Sequence, residues 1–239
     1  MSILSDLKKD TNIQEDIDFT GYKALDSGVY DCTISLAYIN TADSGAVGIV
    51  LHLITENQQE IKQTLWVRSG NAKGNKHYYT DKNGHKRYLP GFNQANAVAQ
   101  LILNKDISDL DTDEKVIKIY SPSAQAEVPQ PVQVLIELLN QKIQIGLVKE
   151  IRDKQAKDAN GIYAPTGETR EENTIDKIFS SPEGFTYTEK AAETEEANYI
   201  NTWRNANKGV TKDKSSGMKA PKPKSASSNS PASSTLFDD

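Results

Sequence analysis

Three stretches in the first third of the chain alternate apolar and polar residues with a period of two, the pattern of half-buried strands. The second begins at Val47, after a polar loop over 40–45, and the third runs from Ile61 to Val67. The first begins at Gly28 and predicts one apolar face formed by Tyr30, Cys32, Ile34, Leu36 and Tyr38. Because the polar connections between them are short, the three strands are predicted to form an antiparallel meander.

A helical spacing replaces the alternation after Pro90-Gly91. Asn93 is a candidate N-cap, and the apolar residues that follow recur at intervals of three and four, at Ala95, Val98, Leu101 and Ile102. This pattern predicts one amphipathic helix.

The second half of the chain shows weaker patterns. A short strand is predicted over 116–120, and the proline-rich stretch 122–131 is excluded from a central sheet because proline lacks a donor. Apolar runs over 132–139 and 143–151 predict a hairpin, although the first run also fits a helix. Residues 153–185 show no regular period, and 188–206 predict a helix with Tyr199, Ile200 and Trp203 clustered on it.

Three strands, one helix and two strands is the element order of an oligonucleotide-binding barrel, whose ligand lies across the second and third strands. We therefore expect a mainly β fold, a five-stranded OB-fold-like barrel with one or two helices and extensions. The expected organisation is an N-terminal arm over 1–27, a binding domain with a C-terminal helical extension over 28–206, and a disordered linker and tail over 207–239.

The net charge of the chain constrains its function, and the distribution of the charges along the chain modifies that constraint. The 239 residues are 36% hydrophobic and carry a formal charge of -5, a balance that argues against nucleic-acid binding unless the charges are segregated. They are segregated, because residues 66–92 contain six Lys or Arg and a single acid, Asp81.

The basic segment 66–92 also contains five aromatic residues, Trp66, Tyr78, Tyr79, Tyr88 and Phe92. Cations for a phosphate backbone and flat rings for unstacked bases are what a single-strand binding surface needs. Asn83-Gly84 predicts a type I′ hairpin turn at its centre. The alternative is a solvated hairpin whose tyrosines only cover the edge of the core.

Few other chemistries fit the sequence. Cys32 is the single cysteine and is expected to be a buried, inert thiol, and the three histidines are too scattered for a zinc site. No nucleotide-binding or hydrolase motif is present, so no cofactor, no metal and no enzymatic activity is expected. No run of 18 apolar residues and no export pattern occurs, so neither a membrane span nor secretion is expected.

Two alternative functions stay open. Asp43 with Glu60 and Lys62 is compatible with a metal-dependent nuclease, in which carboxylates hold Mg²⁺ and the lysine orients a water. A protein-interaction scaffold that uses the lysine- and proline-rich end of the chain is the second. That end terminates in Leu236, Phe237, Asp238 and Asp239, which suit a short peptide for a partner's pocket but also fit a chance polar end.

Three segments together resemble a known family: QTLWVRSGNAKGNKHYYTDKNGHKRYLPGFNQANAVAQL, the later DANGIYAPTGETREENTIDKIF and the terminal LFDD. They are similar to the single-stranded DNA-binding proteins of tailed bacteriophages. The resemblance implies an oligonucleotide-binding barrel that coats single strands during phage replication, recombination and repair in the cytoplasm of the bacterial host. It also implies a tail that recruits phage or host replication proteins, and it leaves homo-oligomer formation open.

Carried to this chain, the resemblance implies two groups of DNA-binding residues. The rings expected to stack on bases are Trp66, Tyr78, Tyr79, Tyr88 and Phe92, and the cations expected on the backbone are Arg68, Lys73, Lys76, Lys82, Lys86 and Arg87. The tail departs from the bacterial pattern, in which an aromatic residue comes last, because Phe237 here precedes two aspartates.

Overall fold

A computed structural model describes residues 23–121, 124–157 and 163–216. This part of the chain is mainly β, as predicted, with three helices. The strands are β1 (Gly28–Thr41), β2 (Val47–Thr55), β3 (Glu60–Arg68), β4 (Tyr78–Thr80), β5 (Lys86–Tyr88), β6 (Thr112–Ser121), β7 (Ala126–Leu135), β8 (Lys142–Lys157), β9 (Tyr163–Phe179) and β10 (Thr211–Asp213), and the helices are α1 (Pro90–Leu103), α2 (Tyr187–Ala191) and α3 (Tyr199–Asn207). None of the helices in the described ranges is both long and apolar enough to cross a bilayer.

The predicted meander is confirmed. β1 pairs with β2 and β2 with β3, both antiparallel. On its other edge β1 pairs with β8 and, at Tyr38, with β7, and β8 pairs with β9, so five strands adjoin in the order β3, β2, β1, β8, β9 and the β6–β7 hairpin joins them at β1. The largest hydrophobic core lies on one face of these strands and is capped by α1.

A bulge in β1 overturns the single apolar face predicted for that strand. Cys32 and Ile34 point into the main core, but the register with β2 shifts between Ile34 and Leu36. The extra residue reverses the alternation, so Ala37 enters the main core while Tyr38 faces a second cluster on the opposite side of the sheet.

Side chains rather than a ladder join the two outer strands, β3 and β9. Ile175 on β9 donates its N–H to Gln63 Oε1 of β3 at 2.6 Å, and its carbonyl accepts from Gln94 Nε2 of α1 at 2.8 Å. Helix α1 begins at Pro90, where a proline loses no helical hydrogen bond, and not after the predicted cap Asn93.

The predicted hairpin over 132–151 is wrong. β7 pairs along its length with β6, while β8 pairs with β1 and β9. The proline-rich stretch does contribute a strand, because Pro129 and Pro131 are two residues apart and their missing donors fall on one edge of β7.

The stretch without a period, 153–185, contains the whole of β9. This strand and β8 form a long ribbon whose outer part is polar on both faces, which hides the alternation from the sequence. Ion pairs replace apolar contacts across it, among them Arg152 Nε with Glu172 Oε1 and Lys154 Nζ with Glu168 Oε2, both at 2.9 Å.

The C-terminal boundary also differs from the prediction. The helix predicted over 188–206 is two helices, α2 and α3, with Ile200 and Trp203 buried. Disorder from residue 207 is wrong for the first residues of that segment, because β10 pairs in parallel with β8 and Lys214 Nζ lies 2.5 Å from the buried Glu150. A buried carboxylate needs a charged partner, so an ion pair and not an apolar contact orders Lys214. The hydrophobic pattern of the sequence does not show such a pair. Residues 1–22, the greater part of the predicted arm, lie outside the described ranges.

Candidate nucleic-acid interface

Six of the predicted site residues line one groove of about 450 Å³ beside the end of β3. They are three rings and three cations, Trp66, Tyr78, Tyr79, Arg68, Lys73 and Lys76. The remaining lining residues are small, polar or aliphatic, and none of the lining residues is acidic. The groove is therefore locally cationic in a chain that is acidic overall.

A glycine on the neighbouring strand sets the position of the Trp66 ring. Gly48 of β2 pairs with Trp66 of β3, and a Cβ at Gly48 would lie 3.1 Å from Trp66 Cε3 and 2.6 Å from Thr64 Cγ2. Because position 48 has no side chain, the indole lies close over the β2 backbone with 44% of its surface exposed. The ring is thus supported from below and open above, as base stacking requires.

Close backbone contacts fix the walls of the groove. A Cβ at Gly91 would lie 2.5 Å from the backbone N and O of Trp66, so the first turn of α1 rests directly on β3. The loop that carries Lys73 is tied to the β1–β2 turn, where Asn71 donates its N–H to the Ser44 carbonyl at 2.8 Å. Lys73 is thereby held near the β1–β2 turn on a short anchored loop.

The predicted hairpin is present, with a different turn. β4 and β5 pair from Tyr78–Tyr88 to Thr80–Lys86, and the Gly84 N–H donates to the Asp81 carbonyl at 3.0 Å. Gly84 has a positive φ of 83° and Asn83 does not, so the turn is a three-residue loop ending in a left-handed glycine and not type I′. Lys82 is exposed in this loop.

One predicted backbone contact already has an anionic partner. Arg87 Nε donates to Asp81 Oδ2 at 2.6 Å, and this bond, with the His85 N–H next in effect, lowers the pKa of Asp81. The only acid of the basic segment is therefore bound within the hairpin, and it neutralises Arg87.

Two lysines flank the half-buried Tyr78. Lys86 Nζ lies 5.1 Å and Lys76 Nζ 5.7 Å from the centre of its ring, both within cation–π range. This places two ammonium groups beside one ring at the edge of the groove.

Tyr88, the direct cross-strand partner of Tyr78, packs against Phe92 of α1. Their ring centres are 4.9 Å apart with an interplanar angle of 27°, and His77 stacks on Tyr88 at 5.6 Å. His77 also contacts the edge of Tyr78 at 5.4 Å, so it links the two sets of rings. Both predicted residues line a second groove and do not face the first.

Sequence reasoning missed two contributors to the site. His77 lies inside the basic segment, so its imidazole ring could have been predicted to join the Trp, Tyr and Phe rings there. Gly48 carried no signal, since a glycine in an alternating strand reveals its role only once its cross-strand partner is known.

The residues of the nuclease alternative are not brought together. Asp43 precedes β2, whereas Glu60 pairs with Ile54 near the other end of that strand, roughly 25 Å away at about 3.3 Å per residue. Within the described ranges, no group of three or more His, Cys, Asp or Glu residues has the arrangement of a metal site.

Cys32 is buried as predicted, and burial, with the charges of Asp31 and Glu56, raises the pKa of its thiol to about 12. The tail residues Leu236, Phe237, Asp238 and Asp239 lie outside the described part of the chain.

Comparison with known proteins adds no assignment: no protein-family model matches the chain, and no curated protein matches it.

Proposed function

We propose that this protein binds single-stranded DNA without sequence preference, using the groove beside Trp66. The observation that carries the proposal is the lining of this groove, where three rings and three cations meet without an acid. The resemblance to phage single-stranded DNA-binding proteins supplies the wider role: coating and protecting single strands in phage replication, recombination and repair in the bacterial host. Recruitment of replication proteins by residues 236–239 belongs to the same proposal.

The strand order supports an oligonucleotide-binding barrel. With the β4–β5 and β6–β7 hairpins and the short β10 set aside, the remaining five strands, β1, β2, β3, β8 and β9, adjoin in the order third, second, first, fourth, fifth. A helix follows the third of them, and the Gln63 side chain of the third bonds the Ile175 N–H of the fifth. We interpret this as the partly open five-stranded barrel of that fold class. The groove then lies at the end of the third strand and beside the first turn, next to the surface over which such barrels bind their ligands.

The chemistry of the groove favours unpaired over paired strands. A ring contributes about 1–3 kcal/mol by stacking on a base only if that base is free of its partner. Each phosphate neutralised on a single strand adds a slope of about -0.7 to the dependence of log affinity on log salt. Rings and cations in one groove therefore select splayed single strands.

Fluorescence anisotropy with a labelled oligo-dT at several salt concentrations tests the proposal. Trp66→Ala and Tyr79→Ala are expected to weaken binding by about 5- to 100-fold each with little change in salt slope. Lys76→Gln is expected to weaken binding less at moderate salt and to reduce the slope by about 0.7.

Tyr163→Ala is the matched control. Tyr163 is 66% exposed and has Lys157 Nζ at 5.5 Å from its ring, so it offers the same chemistry outside the groove. Equal losses in this control and in Tyr79→Ala would contradict a site at the groove, and so would wild-type protein that ignores oligo-dT. An oligo-rU arm distinguishes DNA from RNA, since the proposal requires tighter binding of DNA.

A further inference from the structure

A second groove of about 620 Å³ lies between α1 and the start of α2, and Tyr88 of the β4–β5 hairpin is among its lining residues. Its rings are Tyr88 and Phe92 on one wall and Tyr187 on the other, and Tyr88 and Tyr187 are 54% and 40% exposed. Lys177 of β9 lies between them. The lining thus again pairs exposed rings with a cation, and two of its rings, Tyr88 and Phe92, belong to the basic segment.

The two grooves share a wall of rings. Tyr78 lines the first, Tyr88 lines the second, and the two residues are direct cross-strand partners in the β4–β5 hairpin. The ring of His77 lies 5.4 Å from Tyr78 and 5.6 Å from Tyr88. A strand that leaves the first groove over this hairpin therefore meets aromatic surface without a gap.

The acids of the second groove are occupied by donors of the protein. Asp106 Oδ1 accepts from Gln100 Nε2 at 2.7 Å and from Asn96 Nδ2 at 3.2 Å. Glu189, on the adjoining surface, accepts the N–H groups of Asn198 and Tyr199 and two donors of Thr186. Asp106 remains exposed and Glu189 is partly buried, and the donors that they accept offset part of the repulsion that a phosphate would meet.

Lys177 lines both the second groove and an adjacent depression, which Tyr199 also lines. Its Nζ lies 5.1 Å from the centre of the Tyr199 ring, and no carboxylate of the described residues lies within ion-pair distance of it. A cation held on a ring face keeps its charge available to an anion, unlike Arg87, which Asp81 neutralises.

We infer that the second groove binds the continuation of the same single strand, with bases on Tyr88 and Tyr187 and a phosphate at Lys177. The inference rests on the proposed function and adds to it a path across the hairpin. With a single cation in the second groove, stacking contributes more there than charge does. Binding in this groove is consequently expected to depend weakly on salt.

Oligomers of two lengths separate the grooves. An oligo-dT of about 5 nucleotides fits one groove and one of about 15 extends into both, within the range of site sizes of such barrels. Tyr187→Ala is expected to weaken binding of the long oligomer by about 5- to 100-fold and to leave the short one unchanged. Lys177→Gln is expected to reduce the salt slope for the long oligomer alone, by about 0.7.

Tyr163→Ala again serves as control and is expected to change neither affinity. Tyr187→Ala with unchanged affinity for the long oligomer overturns the inference, and so do equal losses for both lengths, which would place the effect in the first groove or in the fold. If wild-type protein binds the short oligomer and gains nothing from the long one, the proposed function stands and the second groove is excluded. If it binds neither, the proposed function fails, and the inference with it.

Discussion

Gly48→Ala is the substitution that most directly tests how the first groove is built. Gly48 does not have a positive φ, so its backbone accepts alanine without strain. The new methyl group would lie 2.6 Å from Thr64 Cγ2 and 3.1 Å from Trp66 Cε3, whereas ordinary carbon contacts begin at about 3.5 Å. The Trp66 ring must therefore move by several tenths of an ångström or tilt away from β2.

Two opposite effects determine how much Gly48→Ala changes the free energy of unfolding. Alanine in a strand gains about 0.5–1 kcal/mol over glycine, and overpacking costs typically about 1–3 kcal/mol. The net loss in the free energy of unfolding is therefore about 0–2.5 kcal/mol. The effect on DNA binding is larger in proportion, because a tilted indole forfeits much of the roughly 1–3 kcal/mol of one stacked base, equivalent to about 5- to 100-fold in affinity.

Tryptophan fluorescence and oligo-dT anisotropy measure the two effects on the same samples. Acrylamide quenching reports mainly Trp66, which is 44% exposed, because Trp203 is only 3% exposed. Quenching is expected to change in Gly48→Ala while urea unfolding shifts little.

Thr64→Ser is the matched background, since it removes the methyl group nearest to position 48 and leaves the indole contact. Gly48→Ala in this background is expected to recover stability without recovering DNA affinity. Unchanged quenching and unchanged affinity in Gly48→Ala would refute the conclusion that Gly48 positions the ring.

Three further predictions concern the fold, the hairpin and the tail. Glu150 is buried, and although burial raises its pKa, hydrogen bonds from Lys214 and Arg152 outweigh this effect and leave the pKa below its ordinary value of 4.5. Its contribution to stability is therefore present above that value and is lost as pH falls through the folded-state pKa, so Glu150→Gln is expected to flatten this part of an acid-unfolding curve followed by circular dichroism. Asp81→Asn releases Arg87 and is expected to steepen the salt slope of oligo-dT binding by about 0.7, and an unchanged slope would show that Arg87 does not reach the backbone. Deletion of 236–239 is expected to tighten DNA binding at low salt, because an anionic end competes for a basic groove, and equal affinity at every salt concentration would rule out this competition.

The sequence predicted the meander, the helix after the third strand and the hairpin of the basic segment, because each has a strong local period or turn signal. It did not predict β9 or the strand partners of β8, since the outer ribbon is polar on both faces and is held by ion pairs such as Arg152–Glu172. Local patterns also do not reveal bulges, and one bulge after Ile34 reversed half of the predicted face of β1.

The candidate site was predicted by composition more than by geometry. Charge and aromatic content identified six of the residues that line the first groove, but gave Tyr88 and Phe92 the same role as Tyr79 although those two line the second groove. Lys177 and Tyr187 come from β9 and α2, about a hundred positions further along the chain, and only the folded strand order brings them near the basic segment.

The junction of β3 and β9 has a mechanical consequence. Bonds of a backbone ladder break as a row, whereas a single side-chain hydrogen bond can exchange its partner for water on its own, so the bond between Gln63 and Ile175 is expected to open independently of the backbone bonds around it. Trp66 lies three residues from Gln63 on β3, so a ligand bound at the Trp66 ring would restrain this part of β3. Occupation of the groove is thus expected to slow amide hydrogen exchange at Ile175 more than at residues in the middle of β1, which makes the Ile175 amide a reporter of whether the groove is filled.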